Sequence, residues 1–255
     1  MIEVDIDLRK KLFPMFEGIQ STILLSCLQG HMGEAWVNDR TNPTAAQVTI
    51  GIFTFYGGDP HAKGARELLC NLPEDALVIV HTDEWKKQIE TIHQGAFEKF
   101  HRYQFKKNAG DLDREHLQSL LASLPEGYEL KKMDENIAHH PSLQEVSEDF
   151  TAQFESIEDF LARGEGFAIL HEGQVMCGAS SYSIYDDGIE IEVGTHPDHR
   201  RKGLATIVSA ALILDCLAKG KYPSWDAANP ESTELAKKLG YVYEEAYDTY
   251  YIFQR

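Results

Sequence analysis

The chain is short of basic residues: 24 Lys and Arg stand against 41 Asp and Glu in 255 residues, a formal charge of −17. Such a balance repels nucleic acid and anionic membrane surfaces, so neither is expected as a partner. The deficit is uneven. Residues 1–125 hold 17 acids and 13 bases, whereas residues 126–255 hold 24 and 11, so the second half carries most of the field that would attract a cation. Cysteine is scarce too. Cys27, Cys70, Cys177 and Cys216 lie far apart, without the paired spacing of zinc or redox motifs. They read as buried free thiols, and no metal is expected. Long apolar runs are missing: the stretch Ala205 to Leu214 falls well short of the roughly 18 residues a membrane span needs. The opening Met1-Ile2-Glu3-Val4-Asp5 lacks the basic start of a secretory leader, so a cytoplasmic protein is expected. No internal repeat or low-complexity segment stands out.

What is present is enough hydrophobic sequence, 43%, for one large or two ordinary domains. The charge-rich stretch 106–127 ends Leu124-Pro125-Glu126-Gly127 and reads as a short helix and linker, which divides the chain into 1–125 and 126–255. The first half alternates helix and strand patterns: a helix over Arg9 to Leu28, strands at Ala35 to Asn38 and Gln47 to Tyr56, and a helix over Lys63 to Cys70. A strand at Ala76 to His81, a helix over Asp83 to Gln94 capped by Thr82, and a strand at Phe97 to Phe105 follow.

The second half opens with a strand at Tyr128 to Lys132, then helical segments that hold Val146, Phe150 and Phe154 at four-residue spacing on one apolar face. Strands at Gly166 to His171, Gln174 to Tyr182 and Ile189 to Thr195, joined by Glu172-Gly173 and Asp186-Asp187-Gly188, predict an antiparallel meander. A helix over Leu204 to Lys219, a strand at Tyr222 to Asp226, a helix over Pro230 to Leu239 and two closing strands complete the reading.

The informative stretch is Thr195-His196-Pro197-Asp198-His199-Arg200-Arg201-Lys202-Gly203-Leu204-Ala205-Thr206, between a strand and a helix. The first amides of a helix have no intrahelical partner and sit at the positive end of its dipole, which suits a pyrophosphate. Gly203 allows close approach of the backbone, Ala205 stays small, and Arg200, Arg201 and Lys202 add positive charge in an acidic half. Further on, Asn229-Pro230-Glu231-Ser232 opens a helix capped by Asn229 and closed by Gly240.

From Tyr128 to Phe253 these features resemble the GNAT superfamily of N-acetyltransferases. Arg200-Arg201-Lys202-Gly203-Leu204-Ala205 is similar to its [Q/R]-x-x-G-x-[G/A] loop, and Asn229-x-x-Ser232-x-x-Leu235-x-x-x-Leu239-Gly240-Tyr241 to its second motif. The runs Ile-Glu-Val-Gly-Thr-His-Pro and Trp-Asp-Ala-Ala-Asn also resemble a two-part subgroup that includes zwittermicin A acetyltransferases. The resemblance implies an α/β (α+β) GNAT-like fold, with a mixed, mostly antiparallel sheet flanked by helices. Residues 126–255 would be the catalytic, acetyl-CoA-binding domain. Residues 1–125 would form an N-terminal α/β domain, a degenerate GNAT-like unit without an equivalent of the Arg200 to Ala205 loop.

The function so implied is acetyl transfer from acetyl-CoA to a primary amine of a small, cationic acceptor, by direct attack and without a metal. Cofactor contacts would come from Val193 and Thr195 on the strand, from Arg200, Arg201, Lys202, Gly203, Leu204, Ala205 and Thr206 in the loop, and from Asn229 and Ser232. The strands Ile189 to Thr195 and Tyr222 to Asp226 would splay to admit the pantetheine arm. An amine is mostly protonated at neutral pH, so a base is needed. Glu190 and Glu192 share one strand face and are the leading candidates, a bulge being required to bring either to the position of the family's base. Asp226 is the fallback. The tyrosine that protonates the thiolate in relatives is replaced by Ala236, which leaves Ser232, Tyr241, Tyr243 or water. The acids Glu145, Glu148, Asp149, Glu155, Glu158 and Asp159 would favour a cationic acceptor. The alternative is a non-catalytic coenzyme A or acyl-CoA sensor. Self-association as a homodimer is compatible with the sequence.

Overall fold

The computed structural model describes residues 1–253. It divides into two compact units, Met1–Arg102 together with the closing segment from Ala246, and Tyr103–Glu245. This division falls earlier in the chain than the boundary expected after Pro125.

The first unit contains β1 (Ile2–Glu3), α1 (Ile6–Arg9), α2 (Thr22–Gln29), β2 (Glu34–Val37), β3 (Ala45–Ile50), β4 (Phe53–Gly58), α3 (Ala65–Leu69), β5 (Ala76–Ile79) and α4 (Asp83–Ile92), and most of β6 (Phe97–Phe105). The long helix expected over Arg9 to Leu28 is broken. Lys10–Phe16 form a 3-10 helix around Pro14, which lacks an amide to donate, and Ser21 starts α2 afresh by accepting from the Leu24 amide. The strand expected over Gln47 to Tyr56 is a hairpin, β3 and β4, turning at Gly51-Ile52. Its core holds Tyr56, Leu68, Trp85, Ile89 and Tyr250.

Strand β4 pairs antiparallel with β3 and parallel with β5, and α3 lies between β4 and β5 in the chain. Helix α3 begins at Gly64, left-handed at φ +92 and without a side-chain cap. The turn before it, His61-Ala62-Lys63-Gly64, lacks the arginine and the small residue of the Arg200 to Ala205 pattern, and its space is taken. A Cβ on Gly64 would meet the Asn38 Cβ at 3.2 Å, and Asn38 Nδ2 donates to the Lys63 carbonyl at 3.0 Å.

The second unit contains α5 (Arg114–Leu121), β7 (Tyr128–Lys132), α6 (Glu135–Ala138), α7 (Pro141–Val146), α8 (Ile157–Arg163), β8 (Gly166–His171), β9 (Gln174–Tyr185), β10 (Gly188–Thr195), α9 (Leu204–Ala218), β11 (Tyr222–Ser224), β12 (Asp226–Ala227) and α10 (Pro230–Leu239). Its five-stranded sheet runs β11-β10-β9-β8-β7, antiparallel except for the β10/β11 pair. Helix α9 is apolar almost all round, as a helix buried on several sides must be, and packs Ala210, Ile213 and Leu217 with Ile191 and Val193 of β10.

On the opposite face, Val146, Phe150 and Phe154 do not share one helix. Ser147 is extended (φ −164) between α7 and a 3-10 turn, Glu148–Phe150. Phe150 nevertheless reaches the sheet because the cross-strand pair Gly178 and Gly194 leaves room: a Cβ at Gly178 would meet Phe150 Cε2 at 2.8 Å, and one at Gly194 would meet Phe150 Cζ at 3.2 Å. Finally, β13 (Tyr243–Ile252) is one strand where two were expected, and its end pairs antiparallel with β5 at Tyr250↔Val78.

Candidate functional site

The end of β10 leads through a 3-10 turn, Pro197–His199, into the loop Arg200–Gly203 and then α9. Gly203 is the N-cap residue of α9, left-handed at φ +80, and no side chain caps the helix. A Cβ added there would meet no atom within 4 Å, so the space at this residue is open. Arg201 is also left-handed (φ +60), a conformation that costs a non-glycine residue about 1–2 kcal/mol. Arg200, Arg201 and Lys202 are exposed. Arg200 Nε donates to the Thr195 carbonyl at 3.3 Å, and Lys202 Nζ donates to the Tyr128 phenol at 3.0 Å. Leu204 and Thr206 turn their side chains into the core, which leaves their backbone as the part available to an anion.

Beside this loop, β10 outruns its neighbour β11. Its parallel pairing with β11 covers Gly188, Ile189 and Glu190 and ends at Glu190↔Ser224. The next residue, Trp225, is buried against Tyr241 and breaks the strand. Asp226 and Ala227 then pair with Gln104 and Tyr103 of β6 instead. The strand expected over Tyr222 to Asp226 is therefore two, and Asp226 is not alongside β10. The segment Ile191–Thr195, about 16 Å long at 3.3 Å per residue, is left without that neighbour. Val193 packs toward α9, and the Thr195 hydroxyl lies 3.1 Å from the Cys177 sulfur.

Both glutamates stand at this divergence. Glu190 occupies the last position paired with β11 and is 4% exposed; Glu192, half-buried, lies beyond that pairing and accepts a hydrogen bond from Ser147 Oγ at 3.2 Å. The register slips between them and β9: Glu190 faces Ser183 and Ile191 faces Ser181. The extra residue is Tyr182, so the bulge lies on the neighbouring strand opposite the glutamates. Burial, and then the Glu190 charge, push the phenols of Tyr185 and Tyr222 well up.

The remaining donors sort by what holds them. Ala236 is fully buried. Tyr241 is buried, donates to the Pro223 carbonyl and has its phenol pushed well up by burial; Tyr243 is 41% exposed beneath Lys237. Ser232 is half-buried and its Oγ accepts from the Trp225 indole at 3.1 Å, which leaves its own proton to donate. Asn229 caps α10 by accepting from the Ser232 amide at 2.8 Å, so this oxygen already serves the helix. Of the acids near α7 and α8, Glu145, Glu148, Glu155 and Glu158 are exposed, while Asp159 is held low by its Arg163 partner and Asp149 accepts from Gln153.

Three cysteines are buried, with thiols of Cys27, Cys177 and Cys216 pushed up to about 12 by burial. Cys70 is exposed, contrary to expectation, because it lies at the C-cap of α3 rather than on its buried side. Among the described residues no His, Cys, Asp or Glu cluster could hold a metal, and no helix is long and apolar enough to cross a membrane. Ser147 and Tyr128 escaped the sequence reading: each acts across the fold, on partners 45 and 74 residues away.

Residues 13–250 match the GNAT acetyltransferase family. A curated relative, the uncharacterized N-acetyltransferase YdfB of Bacillus subtilis (strain 168), is 26% identical over 230 residues, covering 86% of this chain and 85% of its own. The crystal structure of a GCN5-related N-acetyltransferase-like protein from Streptococcus suis 89/1591 is similar at 37% identity and a TM-score of 0.89, over 97% of this chain and 100% of that one. A tandem GNAT protein from the clavulanic acid biosynthesis pathway shares the fold at 11% identity and a TM-score of 0.56, over 100% of this chain and 98% of its own.

Proposed function

The chain belongs to the GNAT acetyltransferase family and is a GNAT-type N-acetyltransferase, and on that premise we propose that it acetylates a primary amine of a small, cationic acceptor with acetyl-CoA. The observation that carries this reading is the uncapped start of α9 at the left-handed Gly203, adjoining the segment Ile191–Thr195 where β10 runs on past its pairing with β11. GNAT acetyltransferases take acetyl-CoA as co-substrate, and the residues here fit it. The space at Gly203 is open, no side chain caps α9, three cations precede it, and β10 runs on from Ile191 to Thr195 past the end of its pairing with β11.

When bound, acetyl-CoA supplies an acetyl thioester and a stable thiolate leaving group. The α9 amides with Arg200, Arg201 and Lys202 hold the pyrophosphate. The backbone of Val193 and Thr195 orients the pantetheine arm. Glu192 takes the proton from the acceptor ammonium, directly or through water, and Ser147 keeps its carboxylate oriented. Its half-exposure on the α7 face supports it over Glu190, which is enclosed at the end of the β10/β11 pair. Ser232, held by the Trp225 indole, is the donor best placed to replace the tyrosine absent at Ala236. The exposed acids Glu145, Glu148, Glu155 and Glu158 favour a cationic acceptor. The first unit, with its filled Gly64 loop, supports the reading of a degenerate GNAT-like half, as does the fold shared along the whole chain with a tandem GNAT protein.

The test is thiol release from acetyl-CoA across amino-sugars, polyamines, neutral amines and hydroxyl compounds. Turnover confined to cationic amines is expected. Turnover with hydroxyl acceptors alone, or coenzyme A binding with no release for any acceptor, would overturn the acceptor assignment.

A further inference from the structure

Three imidazoles and a phenol adjoin the Arg200–Gly203 loop, and none has a part in the reaction described above. His199 ends the 3-10 turn, Tyr128 begins β7, His171 ends β8 and His196 follows β10. The ring centroids of Tyr128 and His171 are 4.7 Å apart, those of His171 and His199 5.4 Å, and those of His196 and His199 5.8 Å. The Tyr128 phenol oxygen is 2.7 Å from His199 Nδ1 and accepts from Lys202 Nζ at 3.0 Å; the ammonium also lies 5.7 Å from the Tyr128 ring centre.

These partners set the protons. An ammonium only donates, so the phenol oxygen accepts from Lys202, and where His199 Nδ1 carries no proton the phenol donates to it. That requires neutral His199, with its proton on Nε2. The order is Lys202 to Tyr128 to His199. Once His199 is protonated, Nδ1 becomes a donor, and two cations then converge on one phenol oxygen. Lys202, a loop residue, is the partner free to leave it.

We propose that His199 is a protonation-linked part of the polyanion site: it takes up a proton when a pyrophosphate binds at the Arg200–Gly203 loop, and Lys202 is released from Tyr128 to the phosphates. This rests on the reading of that loop as the pyrophosphate site. The charged and titratable groups facing His199 are Lys202 from the loop, His171 from β8, Tyr128 from β7, and His196 and Asp198 from the turn. Loss of solvent, then Lys202, His171 and His196, hold the imidazolium below the ordinary histidine range, against Asp198 alone. A bound pyrophosphate brings two negative charges to this excess of positive groups and reverses the balance.

The sign follows from linkage. A ligand that raises the pKa of His199 binds more tightly as pH falls through the titration range of the free protein, by up to about tenfold per pH unit for one fully linked proton. A ligand without a titrating group near neutrality is needed to see it. Dephospho-coenzyme A, which keeps the pyrophosphate and lacks the 3′-phosphate, is suitable.

The experiment follows the imidazole resonances of the full chain by NMR against pH, with and without saturating dephospho-coenzyme A, and measures its affinity from about pH 7.5 to about 5.5. The expected result is an upward move of the His199 titration on binding, tighter binding at lower pH, and loss of that slope in His199→Gln and its weakening in Tyr128→Phe. Binding with an unmoved His199 titration, or an unchanged slope in His199→Gln, overturns the proton linkage and leaves the loop assignment standing. No binding of dephospho-coenzyme A at any pH overturns both.

Discussion

Replacing Gly203 tests the cofactor reading because strain and ligand loss can be separated. Gly203 has φ +80 and Gly220, just beyond the C-terminal end of α9, has φ +72; a Cβ at either would meet nothing within 4 Å. Alanine at either position therefore carries the same penalty, about 1–2 kcal/mol for a left-handed L-residue. For a chain of this size that lowers Tm by about 2–8 °C. The positions differ in what lies ahead of the Cβ. Gly203 is the N-cap of α9, so a side chain there adjoins the proposed pyrophosphate site, and acetyl-CoA should bind more weakly in Gly203→Ala than in Gly220→Ala at equal Tm loss. Gly203→Glu adds a carboxylate. At about 5 Å from a phosphate charge, and an effective dielectric constant of about 20–80, the repulsion is about 1–3 kcal/mol, a further rise in KM of roughly 5- to 150-fold. The assay is steady-state thiol release with KM for acetyl-CoA, beside a thermal melt of each variant. Equal KM in Gly203→Glu and Gly220→Ala would refute the placement of the pyrophosphate.

Glu192→Gln should lower kcat by about 10²- to 10⁴-fold with little change in KM for acetyl-CoA; loss confined to KM would remove it as the base. Ser147→Ala deletes the hydrogen bond that favours the charged carboxylate, so the acid limb of the kcat profile should move to higher pH, and an unmoved limb refutes the contact's role. In Asp215, burial pushes the carboxyl up but Lys219 and Lys132 outweigh it and hold it below the ordinary aspartate range. Its folded value being depressed, the stabilisation is complete above about pH 4 and lost as pH falls through the folded value. Urea melts across that window should show a smaller drop in Asp215→Asn, and an equal drop would contradict the pairing. A thiol reagent should modify Cys70 in the native protein and Cys27, Cys177 and Cys216 only on unfolding, since those three are buried; rapid labelling of more than one thiol would show otherwise.

Local patterns carried much of the architecture. The meander over β8, β9 and β10, the helix begun at Gly203 and the helix between Asn229 and Gly240 all announce themselves through turn and cap residues adjacent in sequence. Where competing local signals met, the reading failed. Pro14 and Ser21 divide what an apolar period joins over Arg9 to Leu28, and Ser147 interrupts the face of Val146, Phe150 and Phe154. The turn at Gly64 has one lysine in place of the three cations before Gly203, and only the left-handed backbone at the helix start is alike.

The loop and its chemistry are sequence properties: a glycine that can be left-handed, a helix without a capping side chain and three adjacent cations need no distant partner. The point where β10 and its neighbour part is a tertiary property. It exists because Trp225 enters the core and Asp226 finds its partner in Gln104, over a hundred residues earlier. The same holds for the difference between Glu190 and Glu192, alike in alternation and unlike in surroundings, since Ser224 closes over one and Ser147 reaches the other. Burial and hydrogen bonding depend on which strands and helices meet, and a periodic pattern carries one face of that encounter without its partner.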